Sequence, residues 1–239
     1  SNALGHYQLG LKFQDRYPEI EDWCAYGGIQ ELLCRSVGDQ EMLMGVSFVK
    51  KNYFDFFGHP LLEGRAIDAL VSDNNVVLTR SAAYSLFGNE PVMGKNIEIS
   101  GMSFVVNGVV EDVDNSIFPN VIGIFVPIEN IKHFNYSADI NDTNMGNAGS
   151  AMVFFKYVEG FDPSEKKRDM ENYVKEFFWI YQYGNAHGVQ MMPMRDFYFS
   201  KITAWLGVMQ YDFEKVIVFF ITGIIILLMA IGNYVSMSV

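Results

Sequence analysis

The longest unbroken apolar run lies near the end of the chain. From Val216 to Gly232 the residues read VIVFFITGIIILLMAIG without a charge, and only Thr222 interrupts a surface that would be apolar on every face of a helix. At about 1.5 Å per residue the run reaches about 25 Å, against a bilayer hydrocarbon core of about 30 Å. A core helix of a soluble protein would keep a polar stripe. The pattern therefore predicts a membrane span over residues 216–235, with Asn233, Tyr234 and Val235 lengthening it. Just ahead of it, Tyr211, Phe213 and Lys215 read as an interfacial collar, aromatic at headgroup depth with a cation able to snorkel.

Upstream the pattern is mixed. YPEIEDWCAY (Tyr17 to Tyr26) predicts a short helix, with Pro18 and the acids Glu19, Glu21 and Asp22 at its start and Gly27-Gly28 as its stop. Ile29 to Cys34 and Met42 to Val49 read as strands joined by a turn around Gly38-Asp39. The aromatic YFDFF (Tyr53 to Phe57) ends at Gly58, and Leu61 to Arg65 forms a link. VVLT (Val76 to Thr79) is a strand whose Thr79 or Ser81 caps a helix through Ala82, Leu86 and Phe87, closed by Gly88. Asn96 to Val110 alternates on both sides of Ser100-Gly101, which predicts a hairpin with Ile97, Ile99, Phe104 and Val106 facing one core. Further strands are expected at Ile122 to Val126 and Ala151 to Tyr157. The polar stretch Ser137 to Ser150 reads as a mobile connection. Asp162-Pro163 opens the clearest helix, in which Met170, Tyr173, Val174, Phe177, Phe178 and Tyr181 share one face and Gly184 is the stop. Val189 to Met194 is expected to be the strand it covers.

Composition narrows the function. The 239 residues carry 28 acidic against 17 basic side chains, a net charge of −11. That sign repels phosphate backbones and excludes the basic stripe a nucleic-acid partner needs. Half of the residues are hydrophobic, with a mean hydropathy of +0.10, and much of that excess sits in the terminal run rather than in a cytosolic globule. Ser1-Asn2-Ala3 reads as a tag remnant. The expectation is a loop between two transmembrane helices, the first of which is missing. Cys24 and Cys34 show no metal spacing and read as two buried, unpaired thiols.

Chemistry is sparse. His6, His59, His133 and His187 lack metal-ligand spacing and read as scattered surface imidazoles. Ser47 and Ser103 sit in GVSFV and GMSFV without the closing glycine of a nucleophile elbow. GNAGS (Gly146 to Ser150) has no lysine to reach a phosphate. Asp112, Asp114 and Asn115 lack the glycine and glutamate of a calcium loop and read as a solvated turn. Met191, Met192 and Met194 read as core filler rather than a Cu(I) site. No catalytic, metal or cofactor constellation emerges, and the chain reads as not an enzyme.

VKKNYFDFFGHPLLEGR (Val49 to Arg65), NVVLTRSAAYSLFGNEPVMGKNIEISGMSFVVNGVVEDV (Asn75 to Val113) and IFVPI (Ile124 to Ile128) occur in an order that is specific. Together they resemble the extracytoplasmic core domain of ABC-transporter permeases of the macrolide-exporter (MacB) and FtsX-like family. The residues that carry the likeness are Tyr53, Phe54, Gly64, Arg65, Phe87, Gly88, Gly94, Lys95, Gly108 and Pro127, all with structural roles. IVFFITGIIILLMAIGNYVSMS resembles the start of the family's second transmembrane helix.

The resemblance implies an α+β domain in two lobes: a Porter-like lobe of helices on a sheet from residues 4–60 and 150–210, and an inserted, β-rich Sabre-like lobe from residues 61–149. It implies a place on the periplasmic side of the bacterial inner membrane and partnership with a cytoplasmic ABC ATPase, a second permease copy and the lipid bilayer. A periplasmic adaptor or outer-membrane component would extend that set, and no cofactor is needed. The function implied is mechanotransmission, in which ATP-driven movement in the cytoplasm reaches the outer domain through a junction at Tyr211, Phe213, Glu214 and Lys215. Two rivals stand beside it: a membrane-anchored domain that binds or senses a ligand, and a membrane-tethered hydrolase.

Overall fold

A computed structural model describes residues 2–3, 5–36, 41–114, 117–146, 150–185, 188, 191–197, 200, 203–204, 207–208 and 213–238. The chain starts with β1 (Asn2–Ala3) and α1 (Tyr7–Arg16), and Pro18 turns it into β2 (Ile20–Ser36), a strand of 17 residues. The helix expected over Tyr17 to Tyr26 is therefore a strand, and Pro18 follows a helix rather than opening one. The misleading feature is burial on both faces. Trp23 and Ala25 enter one hydrophobic cluster and Cys24 and Tyr26 another, so no alternation of apolar and polar residues is left to read. Gly28, at φ +83, sits in the bulge where pairing with the next strand shifts between Tyr26 and Ile29, so the two glycines bend a strand instead of stopping a helix.

β3 (Met42–Val49) has the expected bounds, while the turn expected at Gly38-Asp39 lies outside the described residues. α2 (Tyr53–Phe56) is one turn, β4 (Leu61–Glu63) is a short strand, and β5 (Asn75–Thr79) leads into α3 (Arg80–Phe87). Thr79 caps α3, its side chain accepting the Ala82 N–H at 3.3 Å. β6 (Asn96–Ile99) and β7 (Met102–Val110) form the expected hairpin. Ser100 and Gly101 take φ of +46 and +88, the two positive angles of the tight turn that matches strand twist. Ile97, Ile99, Phe104 and Val106 are all fully buried in one cluster.

β8 (Ile122–Pro127) ends in a 3-10 turn at Ile128–Asn130, followed by α4 (Ile131–Phe134). The connection after α4 is tied down: Ala138, Ile140 and Met145 are buried, and the Ile140 and Met145 carbonyls accept from Gln8 Nε2 at 2.7 Å and Trp179 Nε1 at 2.9 Å. β9 (Met152–Tyr157) follows, and a 3-10 turn capped by Asp162 opens α5 (Lys167–Phe177). The helix expected to run to Gly184 breaks at Phe178, whose φ of −92 and ψ of 108 are extended, and resumes as α6 (Trp179–Gln182). Residues 191–193 are not a strand and α7 (Met194–Phe197) is helical, so the strand expected at Val189 to Met194 is absent over its described part. What α5 covers is the edge of β2 and β9: Met170 and Val174 pack with Phe13, Tyr17, Ile20, Phe155 and Tyr157. β10 (Thr203–Ala204) pairs in parallel with β1, and α8 (Phe213–Ser238) ends the chain.

Strand pairing runs β3-β8-β5-β7-β6-β2, and β2 returns to β3, so six strands close a circuit. β9 continues from β2 and β4 flanks β7. Alternate residues feed the two sides: Val76, Leu78, Ile124 and Val126 join one cluster with Ala82 and Leu86 of α3, while Val77 and Phe125 join the other. The two free thiols are buried, Cys34 in the first cluster and Cys24 in the second, and burial pushes both up to about 12.

α8 is the outlier. Its window Glu214–Tyr234 of 21 residues is apolar enough to cross a membrane, and none of that window is buried. At 1.5 Å per residue it spans about 31 Å, removing the shortfall of the bare apolar run. Thr222 returns its hydroxyl to the Val218 carbonyl at 2.8 Å, which satisfies the one polar side chain within the run.

α1 is seated by a missing side chain. A Cβ on Gly10 would lie 2.1 Å from the Trp23 ring, whose indole Nε1 donates to Gln14 Oε1 at 2.8 Å. Gly10→Ala must therefore lift the helix off its anchor. The expected loss is about 2 kcal/mol, or about 6 °C in Tm, despite the gain in helix propensity; thermal unfolding in detergent measures it.

Candidate functional site

The segment Val49 to Arg65 builds an aromatic cradle. Its start is fixed by polar contacts: Lys50 Nζ donates to the Trp23 carbonyl at 3.0 Å and lies 4.5 Å from the center of that indole ring. Asn52 donates to both oxygens of Asp22 at 3.1 and 2.9 Å and to the Trp23 carbonyl at 3.0 Å, while Lys51 pairs with Asp73 at 2.6 Å. Burial lowers the Lys50 ammonium and raises the Glu129 carboxyl. So anchored, α2 coils for a single turn and the Gly58 and His59 amides close it onto the Asp55 and Phe54 carbonyls at 3.2 and 2.8 Å.

The coil sends Tyr53 and Phe54 inward and leaves Phe56 and Phe57 at the rim. Tyr53 meets Phe57, Phe118 and Phe125 at 5.0, 5.3 and 5.4 Å between ring centers, and His59 stacks on it at 5.8 Å. Phe57 touches Phe118 and Phe154 edge-on, each at 5.3 Å. Burial raises the Tyr53 phenol and lowers the His59 imidazole, so both favour their neutral forms. Phe197 of α7 and Val208 pack on this cluster. Val208 stands five residues ahead of Phe213, where α8 begins. Val208 is thus the described residue nearest ahead of the start of α8, and it packs on the cluster that the cradle belongs to.

Of the motif residues, Tyr53 and Phe54 belong to the cradle and the rest brace the scaffold. A Cβ on Gly64 would lie 2.7 Å from the Asn107 carbonyl, and one on Gly108 would lie 3.0 Å from Leu61 Cδ1, so β4 crosses β7 closely. Arg65 pairs with Asp68 at 3.3 Å on the surface. Phe87 ends α3 beneath the Lys95 ammonium at 5.0 Å, Gly88 is the C-cap, and Lys95 also pairs with Glu90. Gly94 donates to the Val106 carbonyl at 2.8 Å, and Pro127 closes β8 with its carbonyl accepting from Asn130. At the junction, Glu214 and Lys215 are exposed on α8, Phe213 is its first residue, and Tyr211 lies outside the described residues.

Asp112 is more than a solvated turn. It accepts the Ser81 N–H at 3.0 Å and the Ser81 hydroxyl at 2.8 Å, adding a second cap to α3 beside the ion pair of Arg80 and Glu111 at 2.6 Å. His6 departs from expectation too: it is fully buried, whereas His133 is exposed, His59 half-buried, and His187 outside the described residues. Met191 accepts a hydrogen bond from the Tyr157 hydroxyl at 3.4 Å. Among the described residues no group of three or more His, Cys, Asp or Glu could hold a metal. An open depression of about 510 Å³ is lined by Lys132, Tyr136, Ser137, Asp139, Asp142 and Gly146.

The sequence profile of the MacB-like periplasmic core domain matches residues 8–173, well over half of the chain. The chain belongs to this family. Its fold is shared by a permease-protein domain from Porphyromonas gingivalis, at 17% identity with a TM-score of 0.61, covering 79% of this chain and 77% of that one. The periplasmic region of MacB from Actinobacillus actinomycetemcomitans aligns at 18% identity with a TM-score of 0.51, over 73% and 75%. The extracellular domain of the ABC-type transporter YknZ from Gram-positive bacteria aligns at 15% identity with a TM-score of 0.50, over 73% and 82%. No curated protein sequence matches the chain. The α+β fold class and the membership among extracytoplasmic domains of ABC-transporter permeases agree with the motif reading. The family match ends at Tyr173 and leaves out the stem, so Phe197 and Val208 were not available from the motifs.

Two outcomes test this geometry. Phe57→Ala removes a ring that contacts five aromatic neighbours and should cost about 2 kcal/mol, with faster hydrogen exchange in α7 than in β5. Asp112→Ala should cost about 1 kcal/mol. Burial pushes the Asp112 carboxyl up, but the Ser81 and Thr79 hydrogen bonds and Arg80 outweigh it and the net direction is down. Its stabilisation is therefore complete above pH about 4 and lost as pH falls through the lowered value, so the variant should lose less stability than the wild type on acidification in that range.

Proposed function

We propose that this MacB-like domain is the outer lever of an ABC permease, moved by ATP-driven change on the far side of the membrane. The observation that supports the reading is that Phe197 and Val208, the latter five residues ahead of a helix long enough to span a bilayer, pack on the same hydrophobic cluster that holds Tyr53 and Phe54. Force delivered along α8 enters the sheet there. The domain hangs outside a bacterial inner membrane, α8 is one of a pair of flanking transmembrane helices, and the complex comprises a cytoplasmic ABC ATPase and a second permease copy. An adaptor or outer-membrane component on the outer side is compatible with the same lever. The family is a class of transporter permease domains rather than of enzymes, and we read the chain as non-catalytic.

The long strand β2 supports the two-lobe reading. Its first half, with β9, α1 and α5, draws on the two ends of the domain, as a Porter-like lobe of residues 4–60 and 150–210 requires. β5, β6, β7 and β8 come from residues 61–149, the Sabre-like insertion, and they join the lobe through β2 and β3.

The junction Tyr211, Phe213, Glu214 and Lys215 is the proposed force path. In the assembled permease in vesicles, replacing Phe213 and Glu214 together by glycine should leave ATP hydrolysis measurable while export falls several-fold, because a flexible pair at the head of α8 absorbs the displacement. Export that proceeds at the wild-type rate with this pair in place removes the lever.

A further inference from the structure

His6 is fully buried, and it is held by both ring nitrogens at the start of α1. Nδ1 accepts the Gln8 N–H at 3.2 Å, and Nε2 lies 3.1 Å from the Asp139 carbonyl oxygen. A carbonyl only accepts, so Nε2 carries the proton and Nδ1 keeps its lone pair. One neutral tautomer satisfies both contacts. Around it, Gln8 Nε2 donates to the Ile140 carbonyl at 2.7 Å, and the Gly5 carbonyl accepts the Ala151 N–H at 3.2 Å. The first turn of α1 is thereby tied to the connection after α4 and to the head of β9.

We propose that His6 is a proton-sensitive pin: a proton on Nδ1 turns the acceptor of the helix cap into a second donor facing the Gln8 N–H, and releases the first turn of α1 from the connection and from β9. The charged groups that face the ring are Asp139 and Asp142 of the connection, and Lys132 of α4 pairs with Asp139. Ser150 and Ala151, at the head of β9, bring no charge. Nε2–H keeps the Asp139 carbonyl, but the new Nδ1–H faces the Gln8 donor, and the carboxylates of Asp139 and Asp142 are the charged acceptors it can reach once the ring leaves its present place. Burial lowers the imidazole below its ordinary value against the pull of Asp139 and Asp142. The sign follows: the unfolded chain takes up the proton first, so the pin is fully stabilising above about pH 6.5 and is lost as pH falls through the lowered value. The inference rests on the extracytoplasmic reading for its meaning, since a domain outside the membrane meets the pH of its surroundings.

The test uses the 239-residue chain in detergent. His6→Asn keeps an oxygen that can accept the Gln8 N–H and cannot titrate. Between pH 7.5 and pH 5.0 the wild type should lose about 3 °C more in Tm than this variant, with His59 and the other titrating groups common to both. In wild-type protein the Gln8 amide resonance should move with the His6 ring titration, at an apparent pKa below about 6.5. These readouts concern the domain alone, so a failure of the lever in export assays leaves them standing, and their failure leaves the lever untouched. Equal pH slopes of Tm in the two proteins, or a Gln8 amide that stays still while the His6 ring titrates, overturns the pin.

Discussion

Strand β2 is buried on both faces from Trp23 to Gly28 and paired on both edges at Tyr26 and Cys34, and the other elements take their places from it. At Tyr26 it pairs with Val49 on one side and Met152 on the other, and at Cys34 with Met42 and Ile99. Its first half carries α1 and α5 through β9, and its second half closes the six-strand circuit through β3 and β6. A one-residue slip would turn Trp23 and Ala25 toward the second cluster and Cys24 and Tyr26 toward the first, exchanging large and small side chains across both clusters from Trp23 to Tyr26. The two ends of the domain therefore share one rigid member. In the proposed lever, displacement at the α1 and α5 end would reach the circuit through that shared strand.

The same double burial decided what the sequence made legible. β3, β5, the β6–β7 hairpin, β8 and α3 were readable because each carries a local signal: an alternation, a Thr79 cap, a Ser100-Gly101 turn. β2 was not, since WCAY at Trp23 to Tyr26 is apolar throughout and the acids before it imitate the first turn of a helix. α5 was legible by its period, yet its break at Phe178 has no proline or glycine to announce it. The cradle was half legible. NYFDFFG stood out as an aromatic motif, but Phe118 and Phe154, which meet its rings, and Phe197 and Val208, which pack on the same cluster, are scattered over the chain and join only through the fold. Asp112 and His6 were misread for a related reason: whether an acid or an imidazole is solvated or holds a helix end depends on partners at Ser81 and Asp139, far away in sequence.

The proposed lever needs one place where the molecule yields, and the forces available differ in kind between the sheet and the stem. Within the circuit, displacement along a strand breaks hydrogen bonds in register and inverts the buried faces, so the sheet resists it. At the second cluster, Val208 and Phe197 pack through apolar contacts that have no fixed direction and that survive small sliding movements. The β1–β10 pairing adds only two residues and does little to lock the stem. α8 is itself a continuous helix and transmits rather than bends. In the proposed lever, displacement is taken up where the apolar packing on the second cluster can shift while the sheet moves as a body. A stem held by strand pairing instead would have to break backbone hydrogen bonds at every stroke, and a stem with no apolar contact would pass no force at all.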